Sequence, residues 1–122
     1  MSSTFIINKA KSSPQVIIDC NKGLVEFNGS CMPEDSVEFF RPIYNKIDCL
    51  KEATNKITFT LLIDYINSGS LKAFVDLFIK VKEMKDKDVE IIWKVEEDDE
   101  ELIDTIEDIH RISQLNFIFQ YI

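Results

Sequence analysis

Ile57-Thr58-Phe59-Thr60-Leu61-Leu62-Ile63 sets Ile57, Phe59, Leu61 and Ile63 on one side and the two threonines on the other, until Tyr65-Ile66-Asn67-Ser68-Gly69-Ser70 breaks the alternation. A period of two marks a half-buried strand, here a central one. Leu71, Phe74, Val75, Phe78 and Val81 then recur on one helical stripe that ends in Lys82, Lys85 and Lys87, with Asn67-Ser68-Gly69-Ser70 as its turn and N-cap cluster. Alternation returns in Val89, Ile91, Trp93 and Val95, a further strand. The acidic run Glu96-Glu97-Asp98-Asp99-Glu100-Glu101 leads into Leu102, Ile103, Ile106 and Ile109 at helical spacing and closes on His110 and Arg111. That helix carries acids at its positive end and bases at its negative end. Leu115 to Ile122 alternates Phe117, Phe119 and Tyr121 against Asn116 and Gln120, a last strand. Strand, helix, strand, helix, strand with short connections predicts parallel strands, because each helical crossover returns the chain in the same direction. The strands are apolar mainly on one face, so the helices are expected to cover that face and leave the other more polar.

Upstream, Gln15 to Cys20 and Leu24 to Asn28 are β-rich runs joined by Asn21-Lys22-Gly23, which predicts a hairpin. Phe5-Ile6-Ile7 is a candidate edge strand. Asn28-Gly29-Ser30 reads as a turn towards Cys31-Met32-Pro33-Glu34-Asp35-Ser36. A first helix follows, with Val37, Phe40, Tyr44 and Ile47 as its apolar stripe and Ile43 and Leu50 flanking. Pro42 removes a backbone donor and crowds the preceding turn, so a kink, or a start near Arg41, is expected. The fold class is α/β: a mixed β-sheet with an N-terminal hairpin and a C-terminal parallel β-α-β-α-β unit, helices mainly on one face, in a single domain over residues 1–122.

The chain has 122 residues, 45% hydrophobic and 30% charged, with 3 Gly and 3 Pro, a composition that supports one packed core. A net charge of -8 argues against nucleic acid and against anionic membrane surfaces as partners. No run approaches the ~20 apolar residues of a membrane span. Met1-Ser2-Ser3-Thr4-Phe5-Ile6-Ile7 lacks the basic start and long apolar centre of a signal peptide, so a cytoplasmic location is expected. Cys20, Cys31 and Cys49 are odd in number and lack a CxxC pair, which predicts reduced, buried or half-buried thiols rather than a disulfide framework or a zinc site.

Candidate chemistry is sparse. The acidic run lacks the Gly and the alternating spacing of a calcium loop and reads as a solvated helix start, so neither a metal nor a cofactor is expected. His110 is the single histidine. It belongs at the opposite edge of the sheet from Ser68, because a helix after a parallel strand starts at that strand's carboxyl end. No nucleophile elbow, P-loop or dinucleotide fingerprint occurs, and nothing cationic beside Cys31 would activate its thiol. The sequence reads as a non-enzyme. What remains is the hydroxyl-rich loop Tyr65-Ile66-Asn67-Ser68-Gly69-Ser70, placed where a helix N-terminus favours negative charge. It is either a plain turn and cap or a phosphorylatable switch, and Gly69 lets the backbone approach a neighbour in both cases.

Three stretches together resemble the SiaC-type bacterial regulatory phosphoproteins, small domains similar in fold to STAS anti-sigma factor antagonists. They are Gly29-Ser30-Cys31-Met32-Pro33-Glu34-Asp35-Ser36 with Phe39, Phe40, Pro42 and Ile43; Tyr65-Ile66-Asn67-Ser68-Gly69-Ser70-Leu71-Lys72; and Trp93 with Glu96 to Leu102, Glu107 and Asp108. The resemblance covers nearly the whole chain. It implies that Ser68 is the phosphorylation site, with Ser70 the second candidate, and that Met32, Pro33 and Glu34 share a partner-binding surface with Tyr65, Asn67, Gly69, Ser70 and Lys72. It further implies a partner-switching circuit. A GHKL-type kinase phosphorylates the domain, a PP2C-like phosphatase reverses this, and the unmodified form binds and activates a diguanylate cyclase in cyclic di-GMP signalling. The alternative is a STAS-like antagonist that binds an anti-sigma kinase.

Overall fold

The computed structural model describes residues 4–53 and 55–122; Met1, Ser2 and Ser3 of the N-terminal stretch, and Thr54, lie outside them. The strands β1 (Thr4–Ile7), β2 (Gln15–Asp19) and β3 (Leu24–Cys31) precede helix α1 (Ser36–Lys46), a 3-10 turn (Ile47–Cys49) and the short α2 (Leu50–Ala53). Then come β4 (Lys56–Ile66), α3 (Ser68–Lys82), β5 (Asp88–Val95), α4 (Glu100–Ser113) and β6 (Asn116–Tyr121). One six-stranded sheet runs in the order β1-β2-β3-β4-β5-β6. The predicted edge strand and hairpin are present as antiparallel pairs, Ile6 opposite Ile17 and Ile17 opposite Glu26. Strands β4, β5 and β6 are parallel as expected. The parallel set begins one strand earlier, with β3 alongside β4, which makes α1 a crossover helix too. In a sheet whose strands are laid down in sequence order, crossovers of one hand all pass over the same face.

That face holds the core. Ile57, Phe59, Leu61 and Ile63 of β4, Phe27 of β3 and Trp93 of β5 lie beneath Phe74 and Phe78 of α3. The opposite face carries Glu26, Thr58, Thr60 and Asp64 along with Leu62, which is exposed, and Ile92, which is partly covered.

Four local expectations are corrected. Asn28-Gly29-Ser30 does not turn: β3 continues to Cys31 through a register shift between Gly29 and Ser30. Gly29 takes φ 134°, and a Cβ there would crowd the Pro14 backbone at 3.2 Å, so the irregularity requires glycine. The helix begins at Ser36, not near Arg41, and continues through Pro42. Pro42 and Glu38 both face solvent, where water can satisfy the carbonyl the proline leaves unpaired. The buried stripe of α1 and the turn after it is Phe40, Ile43, Ile47 and Leu50, while Val37 is 70% exposed and Tyr44 is 41% exposed. Finally, Cys20 and Cys49 are not thiols but a disulfide, their Cα atoms 5.6 Å apart. Cys20 follows β2 and Cys49 follows α1, and only the folding of α1 back over the sheet brings them together.

Candidate functional site

Asn67 is the joint of the region. It caps α3, its Oδ1 accepting from the Ser70 amide at 2.9 Å, and its backbone N–H donates to the Cys31 carbonyl at 3.1 Å. Its Nδ2 donates to the Pro33 carbonyl at 3.1 Å, across 34 positions of sequence. The Ser36 hydroxyl lies 3.5 Å from Asn67 Oδ1 and 3.4 Å from Ser70 Oγ. The start of α1, itself capped by Asp35 accepting from the Glu38 amide at 3.0 Å, is thereby fastened beside the start of α3. A Cβ on Gly69 would stand 2.6 Å from Ser36 Oγ and 3.0 Å from Ser36 Cβ, so this approach of the two helices requires a residue without a side chain.

The predicted residues divide by burial. Ser68, Gly69, Glu34 and Lys72 are exposed, as are Met32 (40%) and Tyr65 (52%), while Asn67 and Pro33 are half-buried. Ser70 is fully buried, which corrects its placement on an exposed surface: it lies beneath the loop. Ser68 is the first residue of α3, where helix geometry leaves the N–H groups of Ser68 and Gly69 without intrahelical acceptors. Lys72 stands one turn on, its ammonium 3.4 Å from Asp76 and its side chain 80% exposed.

Cys31 lies under the loop. Burial pushes its thiol up to about 11, against a smaller lowering by a hydrogen bond with the Ser70 side chain, which favours the protonated thiol near neutral pH. His110, at the end of α4, stacks on Phe117 of β6 with ring centroids 4.8 Å apart. The acidic run supplies the cap of α4, Asp99 accepting from the Leu102 amide at 3.2 Å. Among the described residues no group of three or more His, Cys, Asp or Glu side chains is placed to hold a metal ion.

A groove of about 400 Å³ between α1 and α3 starts at Gly69 and Lys72 and runs past Val37, Phe40, Arg41 and Tyr44 to Ile79 and Lys80. Its charges are locally matched: Arg41 with Glu38 at 2.7 Å, Lys72 with Asp76, and Lys80 with Asp48 at 3.3 Å. Its exposed apolar rim is Val37, Tyr44 and Ile79. Val37 and Tyr44, expected on the apolar stripe of α1, stand on this rim instead, together with Ile79 of α3. The signal available was that Phe40, Ile43, Ile47 and Leu50 form an equally good stripe that leaves Val37 and Tyr44 outside.

Residues 7–122 match the profile described as SiaC family regulatory phosphoprotein. This chain belongs to the SiaC family. Solved structures agree in fold. A chain of the crystal structure of diguanylate cyclase SiaD in complex with its activator SiaC from Pseudomonas aeruginosa superposes with a TM-score of 0.86 at 20% identity, covering 97% of this chain and 99% of that one. Apo-SiaC from the same organism gives 0.80 at 22% identity, covering 98% and 99%. No curated protein matches this SiaC family member in sequence. The family is described as one of regulatory phosphoproteins, and the hydroxyl of Ser68 is exposed at the head of α3.

Asn67 provides the first test of how this SiaC family loop is built. Asn67→Ala removes both the cap and the Pro33 tether and is expected to cost about 1–2 kcal/mol in urea denaturation. Asn67→Asp keeps an acceptor for the Ser70 amide and loses only the donor to Pro33, so it should cost clearly less. Equal losses would mean that the cap contributes little.

Proposed function

We propose that this chain is a non-enzymatic regulatory module of the cytoplasm whose unphosphorylated form binds and activates a diguanylate cyclase, and that phosphorylation of Ser68 switches the binding off. The reading rests chiefly on one observation: Ser68 is exposed at the first position of α3, at a loop tied by Asn67 to the Pro33 segment, beside a groove with an apolar rim. The P. aeruginosa protein of the same fold is described as the activator of a diguanylate cyclase, which supports the choice of partner class. A phosphate on Ser68 would meet two free backbone N–H groups and the Lys72 ammonium one turn away, so the helix can accept it without unfolding. A GHKL-type kinase is the proposed writer of this mark and a PP2C-like phosphatase its proposed eraser. Met32, Pro33, Glu34, Tyr65 and Lys72 form the proposed docking surface around it.

The test is phosphopeptide mapping after incubation with the cognate kinase, with cyclic di-GMP output read in parallel. Phosphate is expected on Ser68, none on the buried Ser70, and none in Ser68→Ala, which should still activate the cyclase. Full incorporation in Ser68→Ala would overturn the acceptor assignment.

A further inference from the structure

Cys20 and Cys49 have no part in the reading above, yet they connect to the groove. Cys49 closes the 3-10 turn that follows α1, and its neighbour Asp48 takes Lys80 of α3 at 3.3 Å and Lys51 at 3.2 Å. Lys80 also donates to the Tyr44 carbonyl at 2.5 Å and lies over the Tyr44 ring, 3.9 Å from its centre. The far end of the α1–α3 groove is therefore built on the same few residues that the disulfide anchors to the β2–β3 connection. Cys20 is 5% exposed and Cys49 half-buried, so Cys49 is the more open half of the bond and the side from which a small reagent would approach.

We propose that Cys20 and Cys49 form a thiol–disulfide exchange site, open to low-molecular-weight thiols at Cys49, whose state sets the rigidity of the α1 terminus and the far end of the groove. The proposal rests on the cytoplasmic reading above, since disulfides in that compartment are typically transient or redox-sensing. The step balances without further reactants. A small thiolate attacks Cys49 Sγ, the S–S bond breaks, and the electron pair leaves on Cys20 Sγ, which takes a proton. A second small thiolate attacks the mixed disulfide, releasing Cys49 as a thiol and the reagent as its own disulfide. The reverse reaction uses a low-molecular-weight disulfide as oxidant. Opening the bond releases a loop spanning 29 positions of sequence that the closed form constrains.

The experiment uses the isolated full-length chain in glutathione buffers of graded ratio, without any cyclase, so that its outcome does not depend on the partner reading. Acid-quenched alkylation under denaturing conditions should count one thiol, Cys31, in the oxidised protein and three in the reduced one, interconverting reversibly. Hydrogen exchange over residues 44–53 should quicken on reduction by more than it does over β5 and β6, and the thermal midpoint should fall by roughly 10 °C. Cys49→Ser should behave as the reduced form in every buffer. Three thiols at every glutathione ratio would overturn the proposal, as would a bond that glutathione never opens. Identical exchange over 44–53 in the two wild-type forms would also overturn it, whether or not the variant folds.

Discussion

Phe74→Ala is expected to lower the stability of the domain by about 3–5 kcal/mol, a large part of the roughly 5–15 kcal/mol that holds a domain of this kind folded. Phe74 is fully buried and links both ends of the core: its ring lies 5.0 Å from Phe27, 5.2 Å from Phe40, 5.9 Å from Phe78 and 5.8 Å from Trp93. Truncation loses the transfer free energy of the ring, and four large rings drawn from two strands and two helices cannot collapse into the space. Urea denaturation checks this through a lower midpoint at unchanged slope. Val37→Ala is the contrast, because Val37 sits on the exposed rim of α1. It should stay within about 0.5 kcal/mol of the parent. Comparable losses in the two variants would mean that the buried stripe of α1 has been misassigned.

Phosphorylation of Ser68 is expected to weaken partner binding by roughly 30-fold to several-thousand-fold while leaving the fold intact. The modification adds about -1.5 to -2 charges at neutral pH. At the head of α3 that charge is worth roughly 0.3–1 kcal/mol in favour of the helix, so the domain tolerates it. A partner seated on the loop has to accommodate the same charge at a desolvated contact, where an unmatched buried charge costs about 2–5 kcal/mol. At ~1.4 kcal/mol per decade this gives the stated range. Paired thermal melts and circular dichroism spectra check the part that concerns the fold. An unchanged or slightly raised midpoint with full helical signal is expected, and a loss of helical signal would mean that phosphate acts by melting α3.

The cap of α3 was legible in the sequence because its chemistry is local: an Asn three residues before Ser70, at the end of a clear strand pattern, specifies an N-terminus through contacts within one turn. The same holds for β4 up to Ile63 and for α3, β5, α4 and β6, each of which follows mainly one period. Where two patterns compete, local reading stops. Val37, Phe40, Tyr44, Ile47 and Phe40, Ile43, Ile47, Leu50 have identical spacing, and only the position of α3 decides which one is buried. Gly29 signals a turn by itself, but the long pairing of β3 with β4 carries the strand past it. The Cys20–Cys49 bond joins residues 29 positions apart whose proximity exists only after α1 has crossed the sheet. At the site, the place of Ser68 at the start of a helix was legible from the strand pattern and the Asn67 cap. The burial of Ser70 and the Asn67–Pro33 hydrogen bond were not, since both depend on where α1 begins relative to α3.

The most direct test of the central claim is a calorimetric titration of the diguanylate cyclase with unmodified and with Ser68-phosphorylated protein, with the Ser68→Ala variant as a third titrant. The unmodified protein and Ser68→Ala should bind with closely similar affinity, and the phosphorylated form at least about 30-fold more weakly. Equal affinities for the unmodified and phosphorylated forms would contradict the switch.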